Sequence, residues 1–401
     1  MKKFLSVIVT IAMLFSVLSV GISAKSTRTS RLQFNDNGKF KVLLMTDFQD
    51  DMILDSVTKD FIKVTIEQEQ PDLIVLDGDN ISGNKFSTGI KALDTAMVKE
   101  GIDQFMSIFE KYGIPVTATF GNHDDDETLV SKEEQFEMYR QYDCFIGYDD
   151  YPELYGCGNH NLPVYSSKNE YKPAYNFYII DSGAYHPEGG YDHIRDDQVE
   201  WYLNTSNSLK EANGGELVPS MVFQHIVVRD ILAIMEECPE GTPNSIQEGT
   251  YADGSPRYIK FKDENYICGG LKEGPSPGNR DSKEFSAMVE QGDVVAMFFG
   301  HDHNDSYEVN LDGIDLVLTP GFSFQSYGNE DRGFRVINID ENDTSTYESH
   351  LIKWQDIYGS SKMAMNHYTM YCKECGTWER ILAAIKYLPF VLVKLVAGYV
   401  F

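Results

Sequence analysis

Residues Leu43–Asp51 read LLMTDFQDD, so a run of apolar side chains ends abruptly in acidic and amide groups. The same change recurs where other apolar runs end, at GDN (78–80), GNHD (121–124) and GHDH (300–303). Each run is short and nearly continuous in apolar residues, which is typical of a strand buried on both faces of a sheet. The polar residues therefore predict a site that is built on strand ends.

Strands and helices are predicted to alternate along the chain. Strands are predicted in FKVLLMTD, PDLIVLDGD, PVTATFGNHD, AYNFYIIDSG, SMVFQHIVV and DVVAMFFGHDH. Helical patterns run from 56 to 70, from about 92 to 112, from 128 to 142, from about 196 onward, and through DSKEFSAMVEQG, where Asp281 or Ser282 is expected to cap and Gly292 to end the helix. This alternation predicts an α/β fold.

The C-terminal third of the chain has a different pattern. SYEVNLDGIDLVLTPG, FRVINID and STYESHLIKW read as strands joined by short turns, and we expect them to form a second sheet packed on the first. Residues 239–280 and 144–172 are rich in turn-forming residues and are predicted to be inserted loops.

The side chains that could carry chemistry cluster at the predicted strand ends. In open α/β sheets, sites form outside the carboxyl ends of strands, so these side chains are expected at one rim. Carboxylates, an amide and imidazoles suit Mn, Fe or Zn better than Ca. They exceed the needs of one tetrahedral site and predict two metal ions that share a carboxylate. The candidates at the strand ends are Asp47, Asp77, Asp79, Asn122, His123, Asp124, His225, His301 and His303.

Taken in order, a strand-ending Asp, GDN, GNHD, a lone His in a strand and GHDH resemble the motifs of the calcineurin-like metallophosphoesterases. The resemblance spans roughly Lys39 to Trp354. DSGAY and SAMVEQGDVVAMFFGHDHND are most similar to the single-domain, purple-acid-phosphatase-like branch. The resemblance implies a four-layer αββα sandwich, in which two mixed β-sheets are flanked by helices.

The resemblance also implies a role for each matching residue. Asp47 and His303 would bind the first metal ion, Asp79 would bridge both ions, and the second ion would be bound by Asn122, His225 and His301. His123 would stay unligated and would donate a proton to the leaving alkoxide or orient the phosphate, with Asn122 as its neighbour at the substrate. A hydroxide held by the metal ions would attack phosphorus in line.

Gln49 departs from the family pattern, which has Asp-x-His where this chain has Asp47-Phe48-Gln49. A tyrosine ligand three residues after Asp79 is also missing, because Ser82 stands there. Gln49 is predicted to be a metal ligand through a neutral amide oxygen, with Asp50 or Asp51 as alternatives. The first site is therefore expected to be looser and to favour Mn, Fe or Mg. Asp77 is interpreted as a support, and Asp124 and Asp302 as partners or caps.

The chain of 401 residues carries a formal net charge of −28, which argues against nucleic acid as a partner. An anionic substrate would need a local cation such as a bound metal. Two further histidines, His186 and His193, flank PEGGY (187–191) in a loop that could overhang the site. The other histidines outside the motifs are interpreted as structural or surface residues.

The N-terminus has a basic start, a long apolar stretch and small residues before Lys25, which is the layout of a secretory signal, with an uncleaved anchor as the alternative. Export makes the six cysteines candidates for disulfides, including Cys372 and Cys375 of CKEC. The predicted organisation is a signal peptide at 1–24, a metallophosphoesterase domain at 38–355, and an extension at 356–401 with the CxxC and an apolar tail.

The tail from Ile381 to Phe401 is long enough to cross a bilayer, but it contains Lys386, Pro389 and Lys394. A membrane span, an interfacial helix and a helix docked on the domain are all left open.

The predicted function is that of a secreted or cell-surface, dinuclear metal-dependent hydrolase of phosphomonoesters. A phosphodiesterase or pyrophosphatase of the same fold is one alternative. A non-catalytic metal- or phosphate-binding protein is another, because Gln49 replaces a histidine. Retention of His123 argues against the last, since a binder has no evident need for an acid at that place.

Overall fold

The computed structural model describes residues 31–50, 52–358, 365–366, 369–370 and 375–400. The predicted signal segment, Asp51, His367 and Cys372 lie outside the described residues. The strands are β1 Lys39–Met45, β2 Leu73–Asp77, β3 Val116–Thr119, β4 His160–Ser166, β5 Asn169–Ile179, β6 Ser220–Phe223, β7 Met235–Cys238, β8 Ile246–Thr250, β9 Pro256–Phe261, β10 Tyr266–Cys268, β11 Val294–Phe299, β12 Glu308–Leu311, β13 Ile314–Leu318, β14 Gly333–Asp340 and β15 Asp343–Lys353.

The helices confirm the predicted helical stretches, with small shifts at their ends. They are α1 Ser56–Glu69, α2 Lys91–Tyr112, α3 Lys132–Tyr139, α4 Asp196–Ala212, α5 Glu284–Gln291, α6 Trp354–Tyr358 and α7 Thr377–Val400. The helix α5 is preceded by Lys283, while Ser282 accepts a hydrogen bond from the backbone N–H of Glu284. It ends at Gly292, whose left-handed backbone (φ 77°) closes the last turn, as its sequence predicts.

Two mixed sheets form the centre of the fold, and helices cover their outer faces, so the predicted α/β sandwich is confirmed. The first sheet has the strand order β15-β14-β1-β2-β3, and the second has the order β10-β12-β13-β11-β6-β5-β4. The β1, β2 and β3 strands are parallel, and so are β5, β6, β11 and β13. Each sheet therefore sends several strand ends toward one rim.

The alternation of side chains along β1 explains why its sequence is apolar throughout. Val42 and Leu44 belong to the core between the sheets, together with Phe177 of β5. Leu43 and Met45 face the other way, into the core beneath the helices α1 to α3. A third core lies between the second sheet and α4 and α5. A strand that is buried on both faces needs no polar side.

Three expectations about the C-terminal half and the insertions were wrong. The C-terminal strands do not form a separate sheet, because β12 and β13 join the second sheet while β14 and β15 extend the first. Residues 239–280 are not a plain loop, since β8 and β9 pair with β7 in a small three-stranded sheet. Residues 144–172 contain β4, which pairs with β5 in an antiparallel hairpin.

Of the five cysteines among the described residues, four do not form the disulfides for which export made them candidates, and one does. Cys144, Cys157, Cys238 and Cys268 are free, and burial raises the pKa of the Cys144 and Cys157 thiols above the ordinary value. Cys375 is disulfide-bonded.

The last helix, α7, contains most of the predicted apolar tail. Ala383 and Tyr387 are buried, and the Tyr387 hydroxyl donates to Asp55 Oδ1 at 2.9 Å, which docks the helix on the domain. Its other side exposes Trp378, Ile385 and further large apolar side chains. Among the described helices, none combines the length and the apolar character that a membrane crossing requires.

Candidate metal centre

The predicted ligands converge at the rim where the strands of both sheets end. Asp47 follows β1, Asp79 follows β2, and His225 follows β6. The side chains form two groups, and within each group the ligand atoms all lie within 4.8 Å of one another. The first group is Asp47, Asp79 and His303, and the second is Asp79, His225 and His301. Asp79 belongs to both groups, which is the arrangement expected of a bridging carboxylate.

Each carboxylate has one anchored oxygen and one oxygen that is turned toward the histidines. Asp47 Oδ2 accepts from Thr46 Oγ1 at 2.8 Å and from the backbone N–H of His301 at 3.1 Å. Its Oδ1 lies 3.0 Å from His303 Nε2. Asp79 Oδ1 accepts from the backbone N–H of His123 at 2.7 Å, while Oδ2 lies 3.3 Å from His225 Nε2. The anchored oxygens fix the rotamers, so the other oxygen of each carboxylate already faces the histidines of the centre.

Backbone carbonyls set the ring orientation of two histidines. His225 Nδ1 lies 2.9 Å from the carbonyl oxygen of Asp77, and His303 Nδ1 lies 2.9 Å from that of Tyr327. An Nδ1–H donor at these places leaves Nε2 as the ligand atom of each ring. Asp77 therefore supports the centre through its backbone carbonyl, which contacts His225. Its carboxylate oxygens are buried and have no hydrogen-bond partner within the described part of the chain.

The backbone at the site is strained, which is uncommon outside functional places. Four non-glycine residues have a left-handed φ: Asp47 (58°), Gln49 (36°), Asp79 (49°) and His301 (74°). Gly121 permits a close approach, because a Cβ there would lie 2.2 Å from Asp79 Oδ1. The chain accepts strain of about 1–3 kcal/mol per residue to bring these side chains together.

The electrostatics of the centre favour a positive charge. Burial lowers the pKa of His225, but Asp79 and Asp47 outweigh this effect and raise it to about 10. Burial raises the pKa of Asp79, but the neighbouring His225 holds it well below its usual range. Burial and the nearby His225 lower the pKa of His301 to about 3, so that this ring is neutral and free to act as a ligand.

The residues present fit two metal ions. Apart from the His303 and Asp79 contacts within the centre itself, Asp47 Oδ1, Asn122 Oδ1 and His225 Nε2 are buried without a hydrogen-bond partner among the residues that the structure describes. Buried polar atoms normally have partners, so three such atoms of ligand type at one place indicate a site for cations.

Gln49 lies at the centre, but its carbonyl oxygen is engaged elsewhere. Its Nε2 donates to Asp79 Oδ2 at 2.6 Å, and its Oε1 accepts from Ser326 Oγ at 2.7 Å. Lys85 Nζ donates to its backbone carbonyl at 2.5 Å. Direct ligation by Gln49 stays a prediction. Asp50 Oδ2 accepts from the backbone N–H of Asp55 at 3.3 Å, and Asp50 is in neither ligand group of the described residues.

His123 lies beside the ligand groups and belongs to neither of them. Its side chain is one-third exposed, and its Nδ1 lies 3.1 Å from Asp126 Oδ2. The carboxylate orients the ring and leaves Nε2 for a bound substrate, as in other acid–base pairs. Asp126 was not singled out from the sequence, where three consecutive aspartates after His123 hid its role.

The two expected partners Asp124 and Asp302 act on backbone groups. Asp124 Oδ2 accepts from the N–H groups of Asp79 at 2.9 Å and Gly121 at 2.7 Å, so it joins two of the site loops. Asp302 Oδ2 accepts from the N–H of Ser276 at 3.0 Å and fastens the 239–280 insertion to the rim.

His186 and His193 form a third group with Asp192. Asp192 is already satisfied, since Arg195 donates to both of its oxygens, at 2.7 and 3.0 Å, and the Tyr155 hydroxyl donates to Oδ2. The guanidinium takes the place that a cation would need. We therefore interpret this group as the base of the 184–192 loop and not as a metal site.

This geometry defines a class of protein, the hydrolases that use two metal ions held at the rim of a β-sandwich. A family model described as calcineurin-like phosphoesterase matches residues 40–305. The chain belongs to this family, and it is accordingly a metallophosphoesterase, a hydrolase of phosphoester bonds.

Two proteins that are similar in sequence to this chain carry the names of a purple acid phosphatase and of a phosphatase. The chain is 28% identical over 346 residues to "Probable inactive purple acid phosphatase 29" of Arabidopsis thaliana, covering 78% of this chain and 79% of the relative. It is 24% identical over 391 residues to "Phosphatase DCR2" of Saccharomyces cerevisiae, covering 88% of this chain and 59% of that protein. A dimetal phosphatase from Danio rerio aligns in structure with a TM-score of 0.45 and 12% identity, over 79% of this chain and 99% of that one.

Proposed function

We propose that this protein is an exported phosphatase that hydrolyses phosphomonoesters with two metal ions bound at the centre. The observation that carries the proposal is His123, held by Asp126 at 3.1 Å and placed beside, but outside, the ligand groups. A protein that only stored metal or phosphate would have no need for an oriented imidazole that is one-third exposed at that place.

The proposed first site consists of Asp47, Asp79 and His303, and the second of Asp79, His225 and His301. We add Asn122 to the second site because the family resemblance implies it and because its Oδ1 is buried without a partner among the described residues. Bound ions would act as Lewis acids that neutralise charge on the phosphoryl oxygens and activate water for attack. We propose that Mn, Fe or Mg suits the first site, because three protein side chains hold it and Gln49 is engaged by Ser326. Two tightly held zinc ions per chain in metal analysis would contradict this.

The residues of the chain have separate tasks in the reaction. Asn122 and His123 lie where the phosphate would bind. His123 would give a proton from Nε2 to the departing ester oxygen, and Asp126 would keep the ring in the required orientation. The backbone N–H of His123 donates to Asp79 Oδ1, so the position of the proton donor His123 is coupled to that of the metal ligand Asp79.

Turnover with a supplied metal tests the proposal. The protein loaded with Mn is expected to cleave an aryl phosphate, and Asp79→Asn is expected to abolish cleavage. Asp343→Asn, at the exposed start of β15, serves as the matched control. If the wild type cleaves no mono- or diester with any of Mn, Fe, Mg or Zn, the non-catalytic alternative that Gln49 and the relatives called "probable inactive" suggest would be favoured.

The proposed location rests on the apolar N-terminal segment and on the exposed apolar side of α7. We propose export through cleavage after about residue 24, with α7 resting on the domain through Tyr387 and offering its other side to a membrane surface. Sequencing of the mature N-terminus tests the first part. Cell fractionation with and without residues 377–401 tests the second, and an unchanged distribution would contradict it.

A further inference from the structure

The hairpin of residues 184–192 forms a wall beside the centre. Its two sides meet at an isolated bridge between Tyr185 and Tyr191, and the His186 N–H donates to the Gly190 carbonyl at 2.9 Å. From outside, the backbone N–H of Asn279 donates to the Tyr191 carbonyl at 3.0 Å. The hairpin is therefore tied on both sides, and it holds both tyrosine rings in place.

Both rings contact residues of the centre. The Tyr185 hydroxyl accepts from Asn122 Nδ2 at 3.0 Å, and its ring centroid lies 6.3 Å from that of His123 in an edge-on arrangement. The Tyr191 ring meets the His301 ring at 4.2 Å, nearly perpendicular to it. The two tyrosine rings stack on each other at 5.8 Å. Tyr185 is nevertheless 48% exposed, so one part of its ring is open to a ligand.

The leaving group of a substrate must lie next to this ring. If His123 protonates the ester oxygen, the atoms attached to that oxygen lie beside His123, and the exposed part of Tyr185 is the adjacent surface. Asp126, in contact with His123, disfavours a leaving group that carries a negative charge. A flat, neutral group can stack on the ring at little entropic cost because the ring is already fixed.

We propose that Tyr185 is a specificity-determining residue and that this protein prefers phosphoesters whose leaving group is neutral and aromatic. Tyr191 supports the ring from behind. The proposal deepens the proposed function, since it assigns the leaving-group side of the same centre, and it uses the placement of His123 as proton donor.

Binding of non-hydrolysable phosphonates tests the proposal without requiring turnover. Benzylphosphonate and propylphosphonate share the anionic group and differ in the ring. With the Mn-loaded full chain, calorimetry is expected to show that Tyr185→Leu weakens the binding of benzylphosphonate by about five- to tenfold, the upper part of the range of an aromatic contact, and leaves the binding of propylphosphonate within about twofold. Tyr185→Phe keeps the ring and should retain the preference. Tyr171→Leu, at the start of β5 and away from the rim, should change neither.

The proposal would be overturned if Tyr185→Leu weakened the binding of both phosphonates equally. It would also be overturned if Tyr185→Phe lost as much benzylphosphonate affinity as Tyr185→Leu, because the role of Tyr185 would then lie in the hydroxyl that contacts Asn122. Turnover of 1-naphthyl phosphate and glycerol 2-phosphate by the wild type tests the proposed function separately. A ring-dependent binding preference without any turnover would support the role of Tyr185 in selecting the ligand and would refute the proposed phosphatase activity.

Discussion

Substitution of Gln49 tests how the first metal site is built. The Gln49 Nε2 atom donates to Asp79 Oδ2 at 2.6 Å, and both side chains are buried. A hydrogen bond to a charged group contributes about 1.5–3 kcal/mol, which corresponds to roughly a 10- to 100-fold effect on an equilibrium constant. Gln49→Leu removes the donor at nearly the same volume and releases Asp79. We expect it to weaken metal binding by about 10- to 100-fold, as is common when a partner of a metal ligand is lost.

Gln49→His should act in the opposite direction. An imidazole at this position would add a fourth protein side chain to Asp47, Asp79 and His303, and we expect tighter binding of the first metal ion. The assay is metal content after dialysis against a graded chelator series, with Mn supplied, next to turnover of an aryl phosphate. Ser326→Ala frees the Gln49 carbonyl oxygen and removes a 3.1 Å contact with His303 Nδ1, but it leaves the bond between Gln49 and Asp79 intact, so it should cost less metal affinity than Gln49→Leu.

Two results would refute this reasoning. Unchanged metal retention in Gln49→Leu would mean that the bond to Asp79 does not organise the bridge. Reduced retention in Gln49→His, with an unchanged melting temperature, would mean that the native amide is matched to its metal ion and that the site lacks no ligand.

Three further predictions concern stability and catalysis. Glu284 is buried, and burial raises its pKa to about 8 from an ordinary value of 4.5, so the folded state binds the extra proton and loses stability as pH rises from about 4.5 to 8. At pH 7 the free energy of unfolding is therefore lower by about 3 kcal/mol than it is below pH 4.5. Urea unfolding should show a flatter pH dependence of stability for Glu284→Gln than for the wild type, but not for the exposed Glu290→Gln. Parallel pH profiles of the wild type and Glu284→Gln would contradict this. Gly121→Ala places a Cβ 2.2 Å from Asp79 Oδ1 and should abolish metal retention in the chelator assay, whereas retained metal would show that the loop can yield. His123→Ala should lower kcat by about 10²–10⁴-fold for an alkyl phosphate and by less for p-nitrophenyl phosphate, whose leaving group needs no proton; equal losses, at unchanged metal content, would exclude His123 as the acid.

The strands that carry the centre were predictable because they are buried on both faces. Leu43 and Val42 enter different cores, so β1 is apolar throughout and its end stands out in the sequence. The strands of the 239–280 insertion left no such signal. Most residues of β8 are exposed, so it has no apolar face that a periodicity could reveal. Its pairing is set by the backbone of β9.

Contacts between distant parts of the chain could not be predicted. Gln49 meets Ser326, which lies 277 positions away in the sequence, so nothing near Gln49 indicates that its carbonyl oxygen is engaged. The division of the C-terminal strands between two sheets is equally non-local. Tyr185 and Tyr191 did leave a trace, because two aromatic residues flank the Gly189–Gly190 turn, but their contact with the centre depends on the hairpin geometry.

Each ligand group combines residues from both sheets, which couples metal binding to the stability of the sandwich. Asp47 and Asp79 come from the first sheet, whereas His225, His301 and His303 come from the second. An ion held between them bridges the two layers and binds only the folded state. At a metal concentration 100 times the dissociation constant, each site should add about 2.7 kcal/mol to the free energy of unfolding. Chelation should therefore lower the melting temperature of the wild type and leave that of Asp79→Asn unchanged; an equal drop in both would mean that the metal acts elsewhere.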